Sequence, residues 1–254
     1  RSNAKWTDGV PVRANDFVYA WKRIVDPKSG SSYSIYLDVI KNAHDIILGN
    51  MDKDKLSVKA LDDNTLYVEL EYPTPYFPEL ITHTSYTPLR EDIVSKNEDV
   101  WTLSAETMIG NGAFKLVKWE HDLRITMQKN TNYWNYELVK PDIINFELID
   151  DVNTAMAGIL NEDIYFYKTT PPNDRERLIK EGIARVVPNI SLYFYEVDHR
   201  KKPFNDARVR KAISLAIDRD YIVNTIMKAG EIPAAAIVPY DIKDADSNND
   251  FRIK

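Results

Sequence analysis

Four histidines, His44, His83, His121 and His199, are the side chains best suited to proton transfer or metal ligation, and they are scattered along the chain. A helical zinc site needs two of them at a fixed short spacing, as in His-Glu-x-x-His, and no such pair exists. Each histidine therefore reads as a surface or capping residue. Cysteine is absent, which excludes thiolate metal sites, a cysteine nucleophile and a disulfide framework together. Gly110-Asn111-Gly112 lacks the third glycine of a dinucleotide loop. No phosphate loop ending in Gly-Lys-Ser/Thr and no Gly-x-Ser-x-Gly elbow occurs. The acidic pairs Asp62-Asp63 and Asp150-Asp151 do not resemble a glycosidase site, where two carboxylates face each other across a cleft. Both pairs fall where a turn or a helix cap is needed. The expectation is no catalytic residue, no metal and no cofactor.

Aromatic placement is the more informative chemistry. Tyr193-Phe194-Tyr195 stands in a run with strand character, so large rings occupy both alternating positions, Tyr193 and Tyr195 on one face and Phe194 on the other. A strand buried on both faces favours aliphatic residues, and a half-exposed one alternates with polar residues. Tyrosine combines an apolar ring with a hydroxyl that seeks a polar partner. Both a binding cleft and an ordinary sheet surface produce this pattern.

The elements that would position these residues follow from pattern and composition. The 254 residues are 44% apolar, with 15 Tyr, 8 Phe and 5 Trp, enough to fill a core and too many rings for a disordered chain. A net charge of −6 with both signs mixed gives no basic stripe for nucleic acid. No apolar run reaches the roughly 20 residues that span a bilayer. No signal peptide opens the chain, and any export signal is expected upstream or already removed.

Helical spacing of Phe17, Trp21, Ile24 and Val25 predicts a helix from Ala14 to Val25 capped by Asn15 or Asp16. A second helix is expected from Ile35 to Leu48. Hairpins are expected over Ser57 to Leu70, and over Phe114 to Trp119 with Leu123 to Lys129. Ile144, Phe146 and Leu148 suggest another strand. A helix over Val152 to Leu160, a strand over Ile164 to Tyr167 and a helix over Asn173 to Lys180 come next. Strands over Ala184 to Val187 and Leu192 to Val197 follow. The last helix is expected from Asp206 to Lys228, with Val209, Ala212, Ile213, Ala216 and Ile217 on its apolar face. Beyond Gly230 the chain turns Pro- and Asp-rich. The whole reads as mixed α/β.

Several motifs in order carry a resemblance. Lys5-Trp6-Thr7-Asp8-Gly9-Val10-Pro11-Val12, Ala14-x-Asp16-Phe17, Trp21-Lys22-Arg23 and Asp26-Pro27 come first. Pro73-x-Pro75-Tyr76-Phe77, Asn111-Gly112-Ala113-Phe114 with Trp119, and Asn130-x-x-Tyr133-Trp134 follow. Thr131 stands where the pattern usually has proline. Pro203-Phe204-Asn205-Asp206-x-Arg208-Val209-Arg210-Lys211-Ala212, ending in Ala216-Ile217-Asp218-Arg219, is the most distinctive. Together they resemble the oligopeptide-binding proteins of ABC importers, extracellular solute-binding protein family 5, over nearly the whole chain.

The resemblance implies an α/β, periplasmic-binding-protein-like type II two-lobed fold with an extra small α+β domain, incomplete here, the chain being an internal piece. Residues 1–111 would be part of the extra domain, 112–218 the central part of lobe I, and 219–254 the beginning of lobe II. It implies a non-enzymatic receptor outside the cytoplasm, in the periplasm or on the surface as a lipoprotein. Its partners would be an oligopeptide ligand and the membrane permease of an ABC importer, with no nucleic acid. By position, Tyr193, Tyr195, Asp198 and His199 match ligand-contacting residues, with Tyr33, Tyr36 and His83 of the extra domain as further candidates. The family often carries Asn at the positions of Asp198 and His199. Receptors for a nickel complex, haem or one signalling peptide are the alternatives within the family. A carboxylate-based hydrolase, or a regulator using the receptor fold as its sensor, are alternatives from other classes.

Overall fold

The computed structural model describes residues 1–97, 100–187, 189–239 and 242. It divides into two compact units, Arg1–Leu148 and Ile149–Lys254, taken in turn. Most of the expected Pro- and Asp-rich tail lies outside the described residues.

In the first unit, helix α1 spans Ala14–Val25, as its apolar spacing predicts. Its start differs from expectation. Arg13, in extended conformation, is the capping position, and Asp16 acts from inside the first turn, its Oδ2 accepting the Arg13 N–H at 2.9 Å. The same oxygen accepts the indole N–H of buried Trp6 at 3.0 Å. A helix end leaves four N–H groups without internal partners, and the carboxylate here satisfies one backbone N–H, that of Arg13, and favours the positive helix terminus. Asp26-Pro27 ends the helix, and Gly30 turns the chain at φ +60°, a conformation that costs glycine little.

Trp21 is the hub of the core beneath α1. Its indole N–H donates to the Tyr86 carbonyl at 3.0 Å, and its ring meets Phe17 and Tyr86 edge-on at 6.4 and 5.2 Å. Leu37, Ile40, Ala43 and Ile46 are fully buried around it.

The helix expected over Ile35 to Leu48 is replaced by a 3-10 turn, Ser34–Leu37, and a short helix α2, Ala43–Ile47. Strand-like pairing wins between them. Lys41 N–H donates to Glu69 C=O and Glu71 N–H to Val39 C=O, both at 2.9 Å. These bonds, with Ser57 N–H donating to Lys41 C=O at 3.2 Å, take the Val39 carbonyl and both Lys41 groups out of a helical ladder, and Ile40 keeps only three-residue turn bonds. Strands β1, Val58–Ala60, and β2, Leu66–Val68, form the expected hairpin. The Asp62 carboxylate closes its turn by accepting the Asn64 N–H at 2.8 Å, so this acidic pair is a turn device. Short helices α3, Phe77–Leu80, and α4, Glu91–Asn97, follow.

Strands β3, Phe114–Glu120, β4, Arg124–Lys129, and β5, Ile143–Glu147, make an antiparallel sheet in the order β3-β4-β5. The expected hairpin is present, with a shift of register between Leu116 and Lys118. Fully buried Asn130 ties the sheet's end down: its Nδ2 donates to Gly112 C=O at 2.8 Å and its Oδ1 accepts the Asn132 N–H at 3.0 Å.

In the second unit, α5 spans Val152–Leu160, again at the expected bounds. Asp151 caps it, accepting the Thr154 N–H at 2.7 Å, so the second acidic pair also has a structural use. Helix α6, Arg175–Lys180, starts two residues later than expected and buries Leu178 completely. Helix α7 is Ala207–Ala216, capped by Asp206. It stops well short of Lys228 because Ile217 turns extended and Asp218 opens a new turn, accepting the Tyr221 N–H at 2.8 Å. A carboxylate so placed competes with the helical backbone for the same N–H groups. A π-helical stretch, Ile222–Met227, follows. The apolar face of α7 stays largely open: no residue of the helix is buried.

The strands expected over Ile164 to Tyr167, Ala184 to Val187 and Leu192 to Val197 are not formed among the described residues. Their residue types suit a pleated surface, but a strand needs a neighbour to receive its N–H and C=O groups. No described segment of this unit supplies one.

Candidate functional site

In the first unit, three of the expected ligand-contacting residues come together. Tyr33 and Tyr36 flank the start of the Ser34–Leu37 turn, and their rings lie nearly parallel, 6.0 Å apart. His83 stacks on Tyr36 at 4.4 Å and lies tilted against Tyr33 at 5.6 Å. Tyr33 is 54% and Tyr36 41% exposed, so the pair presents aromatic surface outward over a less exposed imidazole.

The pair is held from below. The Tyr86 hydroxyl donates to the Tyr36 carbonyl, and burial pushes the Tyr86 phenol up to about 12. Tyr72 and Tyr76, neighbours of each other in the same unit, are both about half exposed. Burial and then the neighbouring Tyr76 raise the Tyr72 phenol above its ordinary value. Sequence reasoning noted Tyr76 only as part of the Pro73-x-Pro75-Tyr76-Phe77 motif and passed over Tyr72. The density of tyrosine just before and after those prolines was the available signal.

In the second unit, Tyr193 and Tyr195 meet edge-on at 6.1 Å and are 88% and 80% exposed. Asp198 is engaged by Arg200. The guanidinium reaches both carboxylate oxygens, at 2.9 and 3.2 Å, and the Arg200 backbone N–H adds a third bond at 3.0 Å. The Arg200 side chain first, then its backbone N–H, hold the Asp198 carboxyl below the usual carboxylate range. A cationic ligand group would have to share this carboxylate with Arg200. His199 is exposed beside it. The seven expected residues thus form two groups, one in each unit.

A groove of about 430 Å³ runs along the outer side of α1, lined by Tyr19, Lys22, Arg23, Lys53, Asp54 and Glu91 among others. None of the seven residues lines it. Its lysines are already neutralised, Lys22 by Asp54 and Lys53 by Asp26, each at 2.8 Å. Exposed pairs of this kind add little net attraction for a further ion. Among the described residues no three His, Asp or Glu side chains are grouped to hold a metal ion. No described helix is long and apolar enough to cross a membrane.

The chain's relatives are binding proteins. It is 41% identical over 247 residues to the periplasmic oligopeptide-binding protein OppA of Salmonella typhimurium, covering 94% of this chain and 45% of that protein. The structure of Haemophilus influenzae OppA in complex with the peptide RPPGFSPFR superposes with a TM-score of 0.86 at 35% identity, over 94% of this chain and 47% of the other. The pheromone receptor PrgZ, solved with its mode of peptide binding, superposes with a TM-score of 0.90 at 31% identity, over 99% of this chain and 50% of the other. The mixed helix-and-sheet fold is therefore that of the OppA-type binding proteins, and the chain spans about half the length of the relatives it matches. The profile described as bacterial extracellular solute-binding proteins, family 5 middle, matches residues 1–252, and the chain belongs to that family.

Proposed function

We propose that this chain is part of an extracytoplasmic receptor that binds oligopeptides and passes them to the membrane permease of an ABC importer. The observation that carries the reading is the match, over nearly all of this chain, to a receptor solved with a peptide in place. In this reading the protein is not an enzyme. Residues 1–111 belong to the small extra domain, 112–218 to lobe I and 219 onward to lobe II. This division follows motif order, whereas the compact units part later, at Leu148 and Ile149.

The exposed tyrosines supply the ligand contacts. A peptide bound in extended form is recognised through its backbone, with roomy contacts for varied side chains. Tyrosine suits that task, offering a large rigid face and a hydroxyl for few rotatable bonds. Tyr193 and Tyr195 are the first pair assigned to this role, Tyr33 and Tyr36 the second, with Asp198, His199 and His83 beside them.

Tyr193 and Tyr195 pack little within this chain, so a variant whose melting transition matches the parent's reports contact through its affinity. Tyr193→Ala and Tyr195→Ala are each expected to weaken peptide binding by about tenfold, the cost of a tyrosine anchor. Calorimetric titration of the native protein with short peptides of varied sequence reads this. Affinities within twofold of the parent in both variants would remove the pair from the site.

A further inference from the structure

His83 stands where the 3-10 turn Thr84–Tyr86 begins, in extended conformation, and caps it. Its Nδ1 accepts the backbone N–H of Ser85 at 3.2 Å and lies 2.9 Å from the Ser85 Oγ. A backbone amide only donates, so Nδ1 carries a lone pair and the ring proton sits on Nε2. The face of the same ring backs Tyr36 and Tyr33.

A line of contacts leads from this cap to the tyrosine pair by a second route. The capped turn ends at Tyr86, which is fully buried. The Tyr86 carbonyl accepts the Trp21 indole N–H, and its hydroxyl donates to the backbone carbonyl of Tyr36. One imidazole therefore steadies Tyr36 twice, through its ring and through its backbone.

We propose that His83 is a pH-sensitive latch on the Tyr33–Tyr36 pair. Neutral, it caps the Thr84–Tyr86 turn and holds the pair. Protonated at Nδ1, it faces the Ser85 N–H donor to donor and turns its new N–H to the Ser85 Oγ, 2.9 Å away; the backbone cap is lost, the turn rests on its own bond from Tyr86 N–H to His83 C=O, and the hold on Tyr36 loosens. Attraction between an imidazolium and the phenol faces keeps the ring near the tyrosines but does not restore the cap. The groups against the ring are the Tyr33 and Tyr36 phenols. Among charged residues on the surrounding elements, Asp38 is taken by His44 at 2.9 Å. Glu79 of α3 lies four residues before His83 in the chain. The consequence for the ligand, weaker engagement of Tyr33 and Tyr36 in acid, rests on the proposed peptide-binding role.

The test is nitrogen-15 NMR of the native protein, histidine-labelled and without ligand, between about pH 8 and pH 5. The expected result is an unprotonated Nδ1 at the upper pH that gains a proton on acidification. Protection of the Ser85 amide from exchange should fall with it by about fivefold, the value of one cap. In His83→Asn the side-chain oxygen still accepts but does not titrate, so the Ser85 protection should stay constant over the same range. A protonated Nδ1 at the upper pH, or the same acid response in His83→Asn, overturns the latch. Peptide affinity measured at both pH values separates the two ideas: a working latch with unchanged affinity removes Tyr33 and Tyr36 from the ligand site and leaves the latch standing.

Discussion

Trp21→Ala is expected to lower the stability of the first unit by about 3–5 kcal/mol, the range for deleting a fully packed large aromatic side chain. Trp21 is 3% exposed, packs edge-on against Phe17 and Tyr86 and donates its indole N–H to the Tyr86 carbonyl. Alanine leaves a cavity between α1 and the Thr84–Tyr86 turn and strands that carbonyl without its donor. Trp21→Phe keeps most of the packing and loses the hydrogen bond, and should cost clearly less. Exchange of the Leu37 and Ile46 amides, which sit in the same core, reads the change in this unit alone. A loss below about 1 kcal/mol for alanine, the scale of an ordinary surface change, would show that Trp21 is not the hub described.

The second large effect is expected at Asp16. Its Oδ2 satisfies both the Trp6 indole and the Arg13 backbone N–H, and Trp6 is almost completely buried. Asp16→Ala leaves a buried donor unpaired, which costs about 1–3 kcal/mol, and removes a helix-start acceptor worth about 1 kcal/mol. The sum is about 2–4 kcal/mol, which the same exchange measurement can resolve. Asp16→Asn keeps one oxygen acceptor and should recover more than half of the loss. Equal losses in the two variants would mean that the carboxylate's charge, not its acceptor geometry, is what matters.

What sequence reasoning recovered was local. Helices α1 and α5 and the two hairpins follow from spacing and turn residues within a few positions, and the structure places them where those signals lie. Failures came where distant backbone decided. Nothing within residues 35–48 announces that Val39 and Lys41 will bond to Glu71 and Glu69, so a helical spacing there was overruled. Leu192 to Val197 has the residue types of a strand, but strand formation depends on a neighbour that no described part of the second unit provides. Asp218, which ends the last helix early by capping a new turn, entered only as part of the closing motif. Its weight depends on Ile217 turning extended, which spacing does not reveal.

The candidate site divides along the same line. Tyr193 and Tyr195 drew notice from their own run of rings. Tyr33, Tyr36 and His83 entered through family resemblance, and only the fold shows their rings in contact. That His83 also caps a turn beneath the tyrosines has no signature in residue order. Tyr72 was passed over and Tyr76 noted only within its motif, because the nearness of Tyr76 to Tyr86 depends on how the segment after β2 folds back.

The most direct measurement of the central claim is to purify the native protein without added ligand, release what it carries with acid, and identify it by mass spectrometry. An oligopeptide receptor that reads backbone more than side chains predicts a mixed set of short peptides of varied sequence. A single metal complex or cofactor, or no peptide at all, would contradict the proposed ligand while leaving the family and the fold in place.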